Sequence, residues 1–318
     1  MTVAARPVRV AVVDLGSNST RLLIADVADG RIRELDRRSQ VTRLGEGVDA
    51  TGRLAEAAMA RVHATLAAYR QAMDEAGVAP DARVGVLTSA VRDAANGAAF
   101  TATVRERFGI DAATIPGEEE ARLSFVGATH GHDGADAGPL LVFDIGGGST
   151  ELVVGTRDRV VFHVSTRAGV VRQTERHIRH DPPQPHELQA LAAEVRAIVA
   201  DHVPPDVRAG ATAAIGVAGT ATSLAAIAQA LEPYDPARVH GAVVERAEAE
   251  LQLARLAQMD LDQRRRVPGL HPDRAPTIVA GVVILIEVLR AFDLDRFEVS
   301  EHDILHGVAL ERAARLRG

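Results

Sequence analysis

The chain of 318 residues contains no cysteine. That excludes disulfides and thiolate metal sites and fits a reducing cytoplasm, the expected location. Aromatic residues make up only 3%, and the formal net charge is −7. A nucleic-acid binder would present a basic face with stacking aromatics, so nucleic acid is not an expected partner. No apolar run reaches the about 20 residues of a membrane span. The most apolar stretch, Ile278 to Leu289, is short and carries Glu287, so no membrane contact is expected and this helix serves either a homodimer or the core. The opening MTVAARPVRVAVVD leads into a strand-like run without a long apolar region, which argues against a signal peptide. The Arg264-Arg265-Arg266 run reads as a solvated helix end rather than a track for a polyanion.

What remains is an ordinary globular composition, 47% apolar and 25% charged, long enough for two domains. A repeat supports that division. Residues 12–24, VVDLGSNSTRLLI, align without gaps on residues 142–154, VFDIGGGSTELVV. At this single offset of 130, Asp14 falls on Asp144, Gly16 on Gly146, Ser19 on Ser149, Thr20 on Thr150 and Leu22 on Leu152. One pair of copies this far apart indicates duplicated domains rather than a solenoid.

The pattern along the chain agrees. Strand-like runs at 9–14, 21–27 and 31–44 precede helical patterns over 54–76 and 91–108, with strands at 84–87 and 112–115. Pro116-Gly117 breaks the chain before a helix that begins at Glu118. Residues 130–139, HGHDGADAGP, read as a linker. Strands at 140–144, 151–154 and 159–165 then repeat the scheme, followed by helices at 170–180 and 186–203, a strand at 214–217 and a helix after Gly219. The expectation is α/β, with domains at 1–130 and 131–300, mixed sheets in each, a terminal helix over 301–318 completing the first, and a ligand cleft between them.

A strand–glycine turn–strand can be no more than a tight hairpin. Two copies, each entered by an aspartate and left through Ser and Thr, point to chemistry instead. Bare successive N–H groups make an anion cradle. Gly16, Ser17, Asn18 and Ser19 form one such loop, and Gly146, Gly147, Gly148, Ser149 and Thr150 the other. Asp14 and Asp144 suit a hard cation that bridges phosphate oxygens. No lysine follows the glycines, and they open a strand rather than a helix, so neither loop is a Walker A motif or a dinucleotide loop.

These hairpins resemble the actin-like phosphotransferase superfamily of sugar kinases, 70-kDa heat-shock chaperones and acetate kinases. Further motifs, LTSAVRDAANG at 87–97, PGEEEARLSFVGA at 116–128, FDIGGGSTEL at 143–152 and VAGTATSLAA at 217–226, look like the Ppx/GppA family of exopolyphosphatases and guanosine pentaphosphate phosphohydrolases. RLGEGVDATGRL at 43–54 and SEHDILHG at 300–307 are most similar to its short exopolyphosphatase-type members. The resemblance implies two duplicated actin-like (ribonuclease H-like) domains with five-stranded sheets and an interdomain cleft.

It also implies roles. Helical spacing leaves Glu118, Glu119 and Glu120 undecided, whereas the family's catalytic glutamate, the one before Ala-Arg, falls on Glu120. Arg92 and Arg274 fall on arginines that contact phosphate, and Gly219-Thr220 falls on a loop of the cleft floor. Glu151, where the first copy has Arg21, orients the metal's water shell or pairs across the strands. His302 and His306, spaced i,i+4, look like surface histidines on a helix that Ser300 and Asp303 cap, because no third metal ligand accompanies them. The chain has Leu305-His306-Gly307 where many members have Arg-Glu-Gly.

The implied activity is Mg²⁺-dependent release of terminal phosphate from inorganic polyphosphate, with Mn²⁺ as a substitute cation. Longer members carry an additional helical domain, so short chains are the expected substrates. The alternatives are a guanosine pentaphosphate or nucleoside-triphosphate phosphohydrolase, an actin-like small-molecule kinase, and an assembly or sensor protein without turnover.

Overall fold

Buried residues run without alternation from Val10 to the end of β1 (Val8–Leu15), so this strand is covered on both faces, as a central strand under helices must be. The computed structural model describes residues 6–130, 138–156 and 159–317. Residues 131–137 of the expected linker lie outside them. The chain divides into two units, Met1–Gly127 with Ile304–Gly318, and Ala128–Asp303.

In unit 1, β1 is followed by β2 (Ser19–Ala28), β3 (Arg31–Val41), β4 (Arg83–Leu87) and β5 (Asp111–Thr114). The sheet order is β3-β2-β1-β4-β5, with an antiparallel meander on one side and parallel crossovers on the other. The crossovers carry α1 (Glu56–Glu75), α2 (Ser89–Asp93) and α3 (Gly97–Phe108), and α4 (Gly117–Thr129) follows β5. The single helix expected over 91–108 is therefore broken. Asn96 stands at the break, its side chain accepting from the Leu54 amide at 2.8 Å and donating to the Leu54 carbonyl at 3.0 Å. A long-range tether of this kind has no local periodicity by which to predict it.

Unit 2 repeats the plan with β6 (Leu140–Ile145), β7 (Thr150–Thr156), β8 (Arg159–Thr166), β9 (Ala213–Val217), β10 (Val243–Glu245) and β11 (Arg296–Val299). Their order is β10-β11-β9-β6-β7-β8, six strands rather than the expected five. The extra strand, β10, is three residues long, too short to show alternation. The duplication extends to register. Asp14 pairs with Arg21 in β1/β2 and Asp144 with Glu151 in β6/β7. The register shifts after Ile24 in β2 and after Val154 in β7, again at the offset of 130.

The helices of unit 2 are α5 (Val170–His177), α6 (Pro185–His202), α7 (Ala218–Ala228), α8 (Arg246–Leu256) and α9 (Ile278–Ala291). Every residue of α9 from Ile278 to Leu289 is buried, against α6 among its neighbours, so this apolar helix is spent in the core. Its one acid, Glu287, accepts from Arg290 at 2.8 Å through Oε1, while Oε2 has, among the described residues, only the Arg196 guanidinium at 3.5 Å as an ion pair.

The last helix, α10 (Ile304–Arg315), belongs to unit 1 and packs on β1 and β2. A side chain on Gly307 would place Cβ 2.1 Å from the Leu123 carbonyl oxygen, so this glycine sets how closely α10 approaches α4. His306 is fully buried, with Nε2 2.8 Å from a Glu34 carboxylate oxygen, which corrects the expectation of a surface histidine. The capping box is also replaced. The Ser300 hydroxyl turns back on His302, donating to its carbonyl and accepting from its amide at 3.0 Å each.

At the start of α6, Glu187 is 4% exposed and accepts from the Gln184 and Arg179 amides at 2.8 and 2.7 Å, with His180 at 2.9 Å. Burial pulls its pKa upward, but these contacts outweigh it and hold the carboxyl at about 2. The stabilisation is complete above the ordinary value of 4.5 and is lost as pH falls toward 2. Glu187→Gln is expected to lower the unfolding free energy by about 1–3 kcal/mol at neutral pH. In urea melts at descending pH, that deficit should shrink across this window.

Candidate active site

In unit 1 the loop after β1 closes on itself, the Gly16 amide donating to the Ser19 carbonyl at 3.0 Å. The segment after β3 takes up its other carbonyls. Thr42 and Arg43 donate to Asn18 O at 3.0 and 2.9 Å, and Gly45 donates to Ser17 O at 2.8 Å. With the carbonyls engaged, the Ser17 and Asn18 amides have no hydrogen-bond partner among the described residues. The Ser17 hydroxyl has contacts of its own. It lies 2.9 Å from the Ser89 hydroxyl and accepts the Ala90 amide at 3.2 Å, so it fastens the loop to α2.

The same helix carries Arg92, whose Nη1 donates to the Ile115 carbonyl at 3.0 Å and to Glu120 Oε2 at 3.2 Å. The three-glutamate ambiguity thus has a structural answer. Glu118 is exposed. Glu119 is bound by Arg122 at 2.8 and 2.9 Å, and Arg122 also reaches Glu311 on α10. This contact, above all the Arg122 hydrogen bonds, holds Glu119 below the usual carboxylate range. Glu120 alone is buried beside Arg92.

Unit 2 builds its loop in the same way. Gly146 donates to the Ser149 carbonyl at 2.9 Å. The start of α5 takes the remaining carbonyls, Val170 donating to Gly146 O at 2.9 Å and Val171 to Gly147 O at 2.8 Å. The buried Arg172 donates through Nε to Gly148 O at 2.9 Å. The amides of Gly147, Gly148 and Ser149, all buried, have no hydrogen-bond partner among the described residues. Buried backbone N–H groups are almost always paired, so three in succession mark a place for an acceptor that carries negative charge. The Thr150 hydroxyl is not one of the donors, since it is given to the Ala168 carbonyl at 2.6 Å.

The carboxylates break the symmetry. Asp14 Oδ2 receives Arg21 Nη2 at 2.6 Å and Nε at 2.9 Å, which neutralises it. Asp144 instead stands directly opposite Glu151 across the strands, both buried, and Ser165 donates to one Glu151 oxygen at 2.7 Å. Two buried carboxylates at one cross-strand position repel each other and together suit a hard divalent cation.

Ala218, at φ 63, opens α7 in the left-handed region, a strained conformation for a residue with a side chain. Beside it, Arg274 Nη1 donates to the Gly219 carbonyl at 2.7 Å and to the Thr222 hydroxyl at 3.3 Å. A Cβ on Gly219 would come within 2.5 Å of that nitrogen, so the guanidinium lies against this turn. Thr220 is buried, and its hydroxyl would be 2.6 Å from a Cβ on Gly281 of α9. Arg274 and Gly219-Thr220 are thus brought together.

The profile of the Ppx/GppA phosphatase family matches residues 23–316. The chain belongs to the Ppx/GppA phosphatase family. It is 39% identical to Exopolyphosphatase 2 of Mycobacterium tuberculosis over 96% of this chain and 98% of that one. It is 27% identical to the guanosine-5'-triphosphate,3'-diphosphate pyrophosphatase of Photobacterium profundum, over 96% of this chain and 60% of that protein. The crystal structure of the Aquifex aeolicus family member superposes with a TM-score of 0.82 at 30% identity, covering 98% of this chain and all of the other.

For this Ppx/GppA chain, sequence reasoning missed Ser89, Gly169 and Arg172. The chain has no lysine, so a side-chain cation at phosphate must be arginine or histidine. Gly169 had a readable signal, a glycine directly before an expected helix. A Cβ there would lie 2.3 Å from the Gly148 carbonyl carbon and 2.4 Å from the Gly147 carbonyl oxygen. Gly169→Ala should displace the loop and lower kcat/KM for phosphate release about a hundredfold. Gly210→Ala, where a Cβ meets nothing within 4 Å, should leave it unchanged in the same assay.

Proposed function

We propose that the chain is an exopolyphosphatase, hydrolysing the terminal phosphoanhydride of inorganic polyphosphate with a divalent cation. The observation that carries this reading is the unpartnered amides of the two loops, Ser17-Asn18 and Gly147-Gly148-Ser149, in a chain whose Glu120 is buried beside Arg92. Phosphate oxygens satisfy such amides without the backbone having to move. Arg92, with five donors in a planar fork, has the capacity to hold Glu120 and a phosphate oxygen together.

In the reaction, Glu120 orients a water and takes its proton as the water oxygen attacks the terminal phosphorus. The bond from that phosphorus to the bridging oxygen breaks, and the shortened chain leaves with the bridging oxygen as an anion. The loop amides and Arg92 hold the negative charge that develops on the phosphate oxygens. Asp144 and Glu151 have the donor chemistry for Mg²⁺ or Mn²⁺, whereas Asp14, tied to Arg21, positions that arginine in this reading. When bound, the cation supplies further neutralisation of phosphate charge.

Glu120→Gln and Asp144→Asn should each lower kcat at least about a hundredfold on polyphosphate, and chelation should abolish turnover until Mg²⁺ is returned. Near-wild-type rates in both variants would sink the mechanism. A panel of polyphosphate lengths, guanosine pentaphosphate and ATP reads out substrate choice, including the expected preference for short chains.

A further inference from the structure

Each of the two loops has its carbonyls taken by a short segment, and each segment is in turn held from its far side. In unit 2 the segment is the first turn of α5. It gives the Val170, Val171 and Arg172 amides to Gly146 O and Gly147 O, and Arg172 Nε to Gly148 O. This helix has eight residues, well short of the about 12–15 at which an isolated helix becomes stable, so its place depends on what packs on it. Its other end meets Glu194 of α6. Three side chains of α5 converge there, His177 through Nε2 at 2.6 Å, the fully buried Gln173 through Nε2 at 3.4 Å, and Arg176. A carboxylate only accepts, so all three bring donors to it. Burial pulls the Glu194 pKa upward, but the His177 hydrogen bond and then the Arg176 charge outweigh it and hold the carboxyl below the usual carboxylate range.

Unit 1 reaches the same result with a residue of opposite charge on the first long helix after its meander. Arg61 of α1 donates through Nε to the Thr42 carbonyl at 2.8 Å, and through Nη2 to Glu46 at 3.1 Å and the Arg43 carbonyl at 3.4 Å. The Thr42, Arg43 and Gly45 amides of this segment are the ones that engage Asn18 O and Ser17 O. Arg43 sits at φ 48, a conformation that a residue with a side chain keeps only where its surroundings impose it. The opposite charges answer opposite needs. The segment at 42–46 offers carbonyls to the helix behind it, which a guanidinium meets, whereas α5 offers side-chain donors, which a carboxylate meets.

We propose that Glu194 and Arg61 are positioning residues for the hydrolysis, each fixing the segment that turns the amides of one loop toward phosphate. They act through those segments rather than on the loops. From Val170 to His177 the helix α5 spans about 10 Å, so Glu194 works on the loop of unit 2 from that distance. This rests on the phosphoanhydride-hydrolase reading and deepens it, because the aim of the loop amides then depends on two charged side chains outside the loops.

The experiment is a double-mutant cycle on kcat/KM for tripolyphosphate that pairs Glu194→Ala with Gly169→Ala. Glu194→Ala should lower kcat/KM about tenfold. Acting through the loop, it should leave the double variant no lower than Gly169→Ala alone, whereas independent losses would multiply to about a thousandfold. Arg61→Ala paired with Gly45→Ala should behave in the same way. Glu194→Gln keeps the length and an acceptor, and should recover most of the loss. Glu187→Gln, which costs stability at the start of the same helix, should leave kcat/KM within about twofold of wild type, so a loss of stability alone does not reproduce the effect. Hydrogen exchange at the Val170 and Val171 amides should speed about tenfold in Glu194→Ala, which reads the clamp without turnover. Losses that multiply, or unchanged exchange, would overturn the proposal. Should Glu194→Ala not fold, His177→Phe, which keeps a ring and removes the donor, takes its place in both measurements. Failure of wild type to release phosphate from any substrate sinks the hydrolase reading instead, and the exchange measurement then still decides the positioning.

Discussion

The structure depends on the direction in which two short loops turn their peptide groups. In each unit, the segment after the outer strand of the meander donates its amides to the loop carbonyls, through residues 42–45 in one and 170–172 in the other. Consuming the carbonyls on the inner side leaves consecutive amides unpaired. An unpaired buried amide costs about 1–3 kcal/mol, which a phosphate oxygen removes. Gly169 and Gly45 are bare for the same reason, because the segment that takes the carbonyls must lie almost on the loop. A Cβ on Gly45 would stand 2.8 Å from that of Ser17.

The duplication supplies the frame and its asymmetry supplies the chemistry. Strand register, bulge position and loop closure repeat at one offset, but the residue opposite the aspartate is Arg21 in one copy and Glu151 in the other. One copy therefore carries an ion pair across the strands, and the other sets two buried carboxylates opposite each other. The same division of labour appears among the three glutamates at the start of α4. Arg122 ties Glu119 to α10, so Glu120 is the one buried beside Arg92.

Where the sequence was legible, the signal was local and repeated. Apolar runs placed the first three strands of each unit and the helices packed on them, and the glycine turns placed the loops. The break at Asn96, the short strand β10, and the burial of His306 against Glu34 were illegible, because each depends on a partner far along the chain. Ser17 and Thr150 were read as phosphate donors from their place in the motif. Their hydroxyls are engaged with Ser89 and the Ala168 carbonyl instead.

The sequence by itself determined the duplicated α/β plan, the position of the two glycine loops and the family, since glycine spacing and strand-end carboxylates act within a few residues. Only the tertiary structure decided which glutamate lies beside Arg92, which aspartate is neutralised, and that the apolar helix Ile278–Ala291 is core. Each of these depends on a charge or a surface brought from elsewhere in the chain, and burial fixes which partner it meets.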